Sequence, residues 1–170
     1  MEASEILLNK TIGAKQKVEA IAAAINAEQI KLASLVPFLK TLKDADKANG
    51  IEALEYVCRE NPEKLTEEGF LFMCENLGAK TPRVRWESSK VISYTVKNFE
   101  QHAKKATLAL INNTMHSGTV VRWSAALALT EIFKLGKEHE VELRKLFERV
   151  IASEEKNSIK KIYSKALKLK

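Results

Sequence analysis

The sequence contains few of the residues that interrupt helices or cross-link small folds. Its 170 residues include 6 glycines and 3 prolines. These are too few for an all-β protein, whose many turns depend on both residue types. The two cysteines, Cys58 and Cys74, exclude a disulfide scaffold and every four-cysteine zinc site. Because both cysteines fall on apolar stripes, we expect them to be buried structural thiols.

Membrane and export signals are also missing. No apolar run approaches the roughly 18 residues that a membrane-spanning helix needs. The first ten residues, MEASEILLNK, carry acids where a signal peptide has a basic region. We therefore expect a soluble, cytoplasmic protein that does not bind membranes.

The usual sequence patterns of catalytic and metal sites are absent as well. The chain has no HExxH, P-loop, GxGxxG or Ser-His-Asp pattern. Its histidines, at positions 102, 116 and 139, are too far apart for a metal motif and are best interpreted as surface residues. We expect no catalytic residue, no metal and no cofactor. Whether the protein is an enzyme stays open, and a non-catalytic role is favoured.

The charge of the chain is concentrated at one end. The formal net charge is +6, and the segment 156–170 holds six lysines and no acid. The preceding 155 residues balance 22 bases with 22 acids. A nucleic-acid-binding domain usually spreads its bases over a whole face. This distribution therefore weakens a nucleic-acid interpretation without excluding it.

Apolar residues recur with the 3.6-residue period of an α-helix along nearly the whole chain. One stripe contains Val18, Ile21, Ala22 and Ile25, and similar stripes follow up to Leu167. Glycines and prolines fall between the stripes, at Pro62, Gly78, Pro82, Gly118 and Gly136. The sequence predicts an all-α protein of about nine helices.

A longer period is superimposed on the helical one. Lys47, Arg85, Arg122 and Lys160 are 38, 37 and 38 residues apart. Four residues after each base stands Ile51, Ser89, Ala126 or Ser164, and seven residues after it stands Leu54, Ile92, Leu129 or Leu167. Such a period indicates stacked repeats, in which the small residue allows close approach of a neighbouring helix.

The repeats resemble a known family. The segments VRWESSKVI, starting at Val84, and VRWSAALAL, starting at Val121, resemble the second helix of HEAT repeats. This resemblance implies a right-handed α-α superhelix of about four antiparallel helix pairs in a single domain, 1–170. The pairs would lie near 28–60, 66–98, 101–135 and 139–169, after an opening helix near 14–26.

The resemblance also implies where a partner binds, because the second helices of HEAT-like superhelices line the concave surface. Trp86 and Trp123 occupy the same repeat position and would stand side by side there, unless both pack as core between repeats. Indoles beside basic side chains suit a peptide or a base. The candidate binding residues on this wall are Arg85, Trp86, Lys90, Arg122, Trp123, Lys134 and Lys161.

One departure from the HEAT pattern concerns the two central arginines. In that pattern an acid in the turn before the second helix pairs with the arginine of a neighbouring repeat. The turns GAKTPR and MHSGTV contain no acid, although Asp44, Asp46, Glu154 and Glu155 could act in the outer repeats. Arg85 and Arg122 are thus expected to lack this partner, and each would bind either an external anion or another group of the protein.

These observations favour a non-catalytic binding or scaffold module that recognises a protein or peptide on its concave face. The alternative is nucleic-acid binding on a fold like that of the HEAT-like DNA glycosylases, with or without catalysis. The last helix and the opening helix look like caps of the array. We therefore expect a monomer or a weak dimer.

Overall fold

A computed structural model describes residues 2–136 and 138–169. Within these residues it contains ten α-helices and no strand, which confirms the predicted all-α class. None of the helices in this part of the chain combines the length and apolar character needed to cross a membrane. The helices are α1 Ala3–Leu7, α2 Ala14–Asn26, α3 Leu32–Thr41, α4 Asp44–Glu60, α5 Glu67–Asn76, α6 Pro82–Thr95, α7 Ala103–Asn113, α8 Thr119–Leu135, α9 Glu140–Ser153 and α10 Asn157–Lys168.

The helices stack in two layers. Helices α2, α4, α6, α8 and α10 form a continuous row in which each packs on the next, and we call this row the second-helix layer. Helices α1, α3, α5, α7 and α9 form the first-helix layer, and each packs against the second helix that follows it. The result is the predicted right-handed superhelix of helix pairs.

The opening segment differs from the sequence prediction. The helix predicted near 14–26 is not a lone cap, because α2 packs along α4 as a member of the second-helix layer. It also has a partner, the short helix α1 (Ala3–Leu7). Five residues complete little more than one helical turn. A helix of that length gives no readable apolar period, and α1 was therefore missed.

Close packing in the second-helix layer depends on small residues at the repeated positions. Ser89 of α6 and Ala126 of α8 are both completely buried. In α4 the corresponding residue is Ile51, and the preceding Gly50 instead allows close approach of the first-helix layer, because a Cβ atom there would collide with Leu39 of α3. Small residues at this repeated position therefore allow helices to approach closely in the middle of the array.

Both cysteines are buried free thiols, as the sequence predicts. Burial raises the pKa of the Cys58 thiol to about 12 and that of Cys74 to about 11. The thiolate is the reactive form of cysteine. Both side chains are therefore inert fillers of the core at neutral pH.

An aromatic cluster closes the last repeat. The ring of Phe147 lies 5.2 Å from that of Phe133 and 4.7 Å from that of Tyr163, measured between ring centroids. Tyr163 is completely buried, and its hydroxyl makes no hydrogen bond within the residues that the structure describes. Burial raises the pKa of this phenol.

We expect Tyr163→Phe to raise the free energy of unfolding by up to about 1 kcal/mol, because it removes a buried hydroxyl without a partner. Urea unfolding followed by circular dichroism measures the change. Tyr56→Phe is the control, since the Tyr56 side chain is exposed and should leave stability unchanged. A clear loss of stability in Tyr163→Phe would show that the hydroxyl is hydrogen-bonded.

Candidate functional site

The regular spacing of bases along the chain corresponds to a ladder of contacts between repeats. Arg122 of α8 donates from Nε and Nη2 to the two carboxylate oxygens of Glu154, at 2.8 and 3.1 Å. Its Nη1 donates to the carbonyl of His116 at 2.9 Å. The bond to Arg122 holds the pKa of the buried Glu154 below its usual range, although burial opposes the shift. The expectation that Arg122 lacks a ladder partner is therefore wrong.

Arg85 of α6 has an equivalent set of partners. Its Nη1 donates to Oδ1 of Asn113 at 2.9 Å, and its Nε donates to the carbonyl of Ala79. The fully buried Asn113 in turn donates from Nδ2 to the carbonyl of Leu77 at 3.0 Å. The turn before α8 has no acid, but Asn113 at the end of α7 takes its place, because its amide oxygen accepts the same hydrogen bond without a charge.

Two further contacts extend the ladder to the start of the array. Lys17 of α2 contacts Asp46 of α4, with 3.2 Å between Nζ and Oδ1. The hydroxyl of Thr81, just before α6, donates to Asp44 at the start of α4. Each contact joins the N-terminal ends of neighbouring second helices. The five helices of the second-helix layer are therefore parallel and in register.

A buried ion cluster lies between α4 and α6. Glu87 is 4% exposed and accepts hydrogen bonds from Lys90 Nζ at 2.9 Å and from Trp86 Nε1 at 2.6 Å. Burial raises the pKa of Glu87, although these two donors oppose the shift. The pKa of Lys90 is also raised: burial opposes this, but the carboxylates of Glu87, Glu55 and Glu52 outweigh it. The positive charge of Lys90 is thus compensated by carboxylates of the protein itself.

The carboxylates that α4 contributes to this cluster are also occupied. Glu55 is fully buried, and both of its oxygens accept from Nη2 of Arg59, at 2.7 and 2.8 Å. Glu52 forms an ion pair with Arg83 of α6. These ion pairs join α4 to α6. Within them the bases are more exposed than the carboxylates. The side chain of Arg59 is 48% exposed whereas that of Glu55 is inaccessible.

The two tryptophans have different environments despite their identical repeat positions. Trp86 is half-buried and its N–H is bound to Glu87, whereas Trp123 is 36% exposed. The residue after Trp123 is Ser124, which bonds to the carbonyl of Val121 and offers the indole no carboxylate. Within the part of the chain described, the two indoles make no ring contact. Trp123 is therefore the more accessible of the two.

An open groove of about 500 Å³ runs across the C-terminal ends of α4, α6 and α8. We call it the C-terminal groove. Its buried apolar residues and exposed bases come from three successive repeats, and the half-buried Tyr94 and Leu127 also line it. The lining residues are Cys58, Arg59, Pro62, Ser93, Tyr94, Val96, Lys97, Leu127, Glu131, Lys134 and Leu135.

The seven residues predicted to bind a partner therefore fall into four places. Arg85 and Arg122 belong to the ladder, and Trp86 and Lys90 belong to the buried ion cluster. Lys134 lines the C-terminal groove, while Trp123 and Lys161 are exposed on α8 and α10. The sequence indicates no role for Tyr94, whereas Arg59 and Lys97 occupy outward positions in its repeat pattern. Within the described residues, no three His, Cys, Asp or Glu side chains form a cluster suited to a metal ion.

Solved structures resemble this chain in fold, whereas no protein-family model and no curated protein matches its sequence. A computationally designed armadillo repeat protein for modular peptide recognition matches with a TM-score of 0.76 and 17% identity, over 98% of this chain and 79% of that one. The designed armadillo repeat protein YIII(Dq.V1)4CPAF, in complex with the peptide (KR)4, matches with a TM-score of 0.71 and 17% identity over the same shares. The complex of CpcE and CpcF of phycocyanin lyase from Nostoc sp. PCC7120 matches with a TM-score of 0.69 and 13% identity, over 97% of both chains. The chain has the fold of an armadillo- or HEAT-like helical repeat solenoid.

Proposed function

We propose that this protein is a non-catalytic binding module that recognises a protein or peptide segment on the exposed face of its second-helix layer. The observation that carries this proposal is the C-terminal groove, which crosses three successive repeats. The exposed residue Trp123 is one helical turn before Leu127, which lines the groove. Parallel helices at a regular spacing present repeated, equivalent contacts. An extended chain, which is itself periodic, suits such a surface.

The solved structures support a peptide as the class of partner. Two of the neighbours in fold are designed armadillo repeat proteins, one described as made for modular peptide recognition and one in complex with a peptide. In this chain the corresponding layer offers both apolar and polar contacts, through Leu127, Leu135 and Tyr94 on one hand and Ser93 on the other.

The predicted residues have different roles in this proposal, some contacting the partner and others holding the helices in place. In our proposal Trp123 is the aromatic anchor, and Lys134 and Lys161 contact the partner around it. Arg85 and Arg122 act indirectly, because their ladder bonds keep the second helices in register. Trp86 and Lys90 hold α6 against α4 through Glu87 and Glu55.

The test is selection of a random peptide display library on the intact protein, followed by affinity measurements on variants. We expect enriched peptides to bind Trp123→Ala about 30-fold more weakly, since losing a buried aromatic anchor costs roughly 2 kcal/mol. Leu108→Ala is the matched control, because Leu108 is an apolar residue of the first-helix layer that is 60% exposed. A library that yields no binder, or binders equally tight for Trp123→Ala, contradicts the proposal.

A further inference from the structure

Basic side chains occur in the last turns of four successive helices of the second-helix layer. They are Arg59 in α4, Lys97 in the 3-10 turn that follows α6, Lys134 in α8, and Lys165 and Lys168 in α10. The ladder makes these helices parallel and in register, so their C-terminal ends lie side by side. We call these five residues the basic row. Arg59, Lys97 and Lys134 line the C-terminal groove.

Exposed carboxylates occur close to the basic row in the sequence, at Glu60, Glu63 and Glu100, but one acid lines the groove itself among the described residues. Glu55 lies beneath Arg59 with no exposed surface, and Glu87 is 4% exposed. Glu131 is the acid that lines the groove, and its carboxylate is bound by Lys134 at 2.5 Å. Lys97 is exposed and forms no ion pair or hydrogen bond within the described part of the chain. The lining of the groove therefore holds three bases, Arg59, Lys97 and Lys134, against one acid, which is an excess of positive charge.

The following inference rests on the proposed function. We propose that the partner of the C-terminal groove is an acidic peptide segment bound in an extended conformation. Packed helices are about 9 Å apart, and an extended chain of the polyproline-II type advances about 3.1 Å per residue with three residues per turn, so every third side chain lies on the same side. One carboxylate at about every third residue would thus meet one base of the row per repeat. The side chains between the carboxylates would contact Leu127, Leu135 and the ring of Tyr94.

This charge is opposite to that of the peptide in the neighbouring complex. That designed protein is in complex with (KR)4, a run of lysine and arginine. Lysine or arginine side chains in the C-terminal groove of this chain would face Arg59, Lys97 and Lys134. Like charges at close range are repelled. The fold is therefore shared with the designed protein, whereas the preferred peptide charge is reversed.

The direct test measures fluorescence anisotropy of a peptide of about twelve residues, carrying an uncharged dye and a glutamate at every third position. A second peptide has lysine in place of each glutamate. We expect the acidic peptide to bind at least tenfold more tightly, and its affinity to fall as salt is added, because screening weakens exposed charge pairs. Equal affinities, or tighter binding of the lysine peptide, would overturn the proposal.

Charge-reversal variants test the location of the site. Lys97→Glu combined with Lys134→Glu should weaken binding of the acidic peptide at least tenfold. Lys104→Glu combined with Lys145→Glu changes the net charge equally but alters exposed residues of the first-helix layer, and should leave affinity within about twofold. Lys97→Gln, at an exposed residue without a partner, keeps the test valid if the double variant fails to fold. If both pairs weaken binding equally, the attraction is non-specific and the proposal is wrong.

Two outcomes separate this inference from the proposed function. Enriched library peptides without acidic bias, which still lose affinity for Trp123→Ala, would overturn the acidic preference and leave a peptide-binding module. If a single-stranded DNA oligonucleotide outcompetes the acidic peptide on wild-type protein but not on Lys97→Glu/Lys134→Glu, the acidic-peptide proposal is overturned in favour of nucleic acid. Its affinity would then fall steeply with salt through counterion release.

Discussion

Replacing Ala126 with glutamate is expected to lower the free energy of unfolding by at least about 3 kcal/mol. Ala126 has no exposed surface and lies in the middle of α8, which packs on α6 on one side and on α10 on the other. A glutamate there would bring a charge into a contact between helices that has no room for its side chain or for water. Since a domain of this kind is stable by roughly 5–15 kcal/mol, the variant should unfold at a much lower urea concentration.

The control for this substitution is on the same helix. Val120, in the first turn of α8, is 45% exposed, and Val120→Glu should change stability by no more than about 0.5 kcal/mol. Both variants are compared with wild type by urea unfolding followed by far-ultraviolet circular dichroism. An Ala126→Glu protein as stable as wild type would mean that α8 does not present this residue to its neighbours and that the repeat register is incorrect.

Removing Arg122 should have an effect of similar size, for an electrostatic reason. In Arg122→Ala the carboxylate of Glu154, which is 7% exposed, stays buried without its cationic partner, and the carbonyls of His116 and Ser117 lose their donor. Breaking a buried ion pair in this way typically costs about 3–5 kcal/mol. Urea unfolding at neutral pH measures the loss. Arg149→Ala removes an exposed arginine of α9 and should have little effect.

A further prediction concerns how the stabilities of wild type and Arg122→Ala depend on pH. Arg122 lowers the pKa of Glu154 in the folded state, so the stabilisation is complete above the unfolded-state value of about 4.3 and is lost as the pH falls through the lower folded-state pKa. In Arg122→Ala, protonation of Glu154 relieves the unpaired buried charge instead. The difference in stability between the two proteins should therefore shrink as the pH falls from about 6 to about 3. A difference that stays constant over this range would show that Glu154 is not the partner whose charge matters.

The sequence accounts for the helices and for the stacking because both depend on short-range or periodic patterns. A helix satisfies its backbone hydrogen bonds within itself, so the 3.6-residue period is enough to place its buried stripe. The column that contains Ser89 and Ala126 recurs at the length of one repeat, and this indicates which faces meet. Helix α1 was missed because a five-residue helix carries no period.

The tertiary structure decided which contacts join the repeats and which surface stays open. Arg85 meets Asn113, 28 residues away, and Arg122 meets Glu154, 32 residues away, and no local pattern connects these residues. The identical repeat positions of Trp86 and Trp123 predicted equal environments, but the residue that follows each indole differs: Glu87 binds Trp86, whereas Ser124 leaves Trp123 without an acceptor. The C-terminal groove is built from three helices whose residues come together only when the repeats stack. The sequence by itself therefore determined the helical repeat fold, whereas the packing of distant side chains decided which of its polar and aromatic residues are bound within the protein and which remain exposed to a partner.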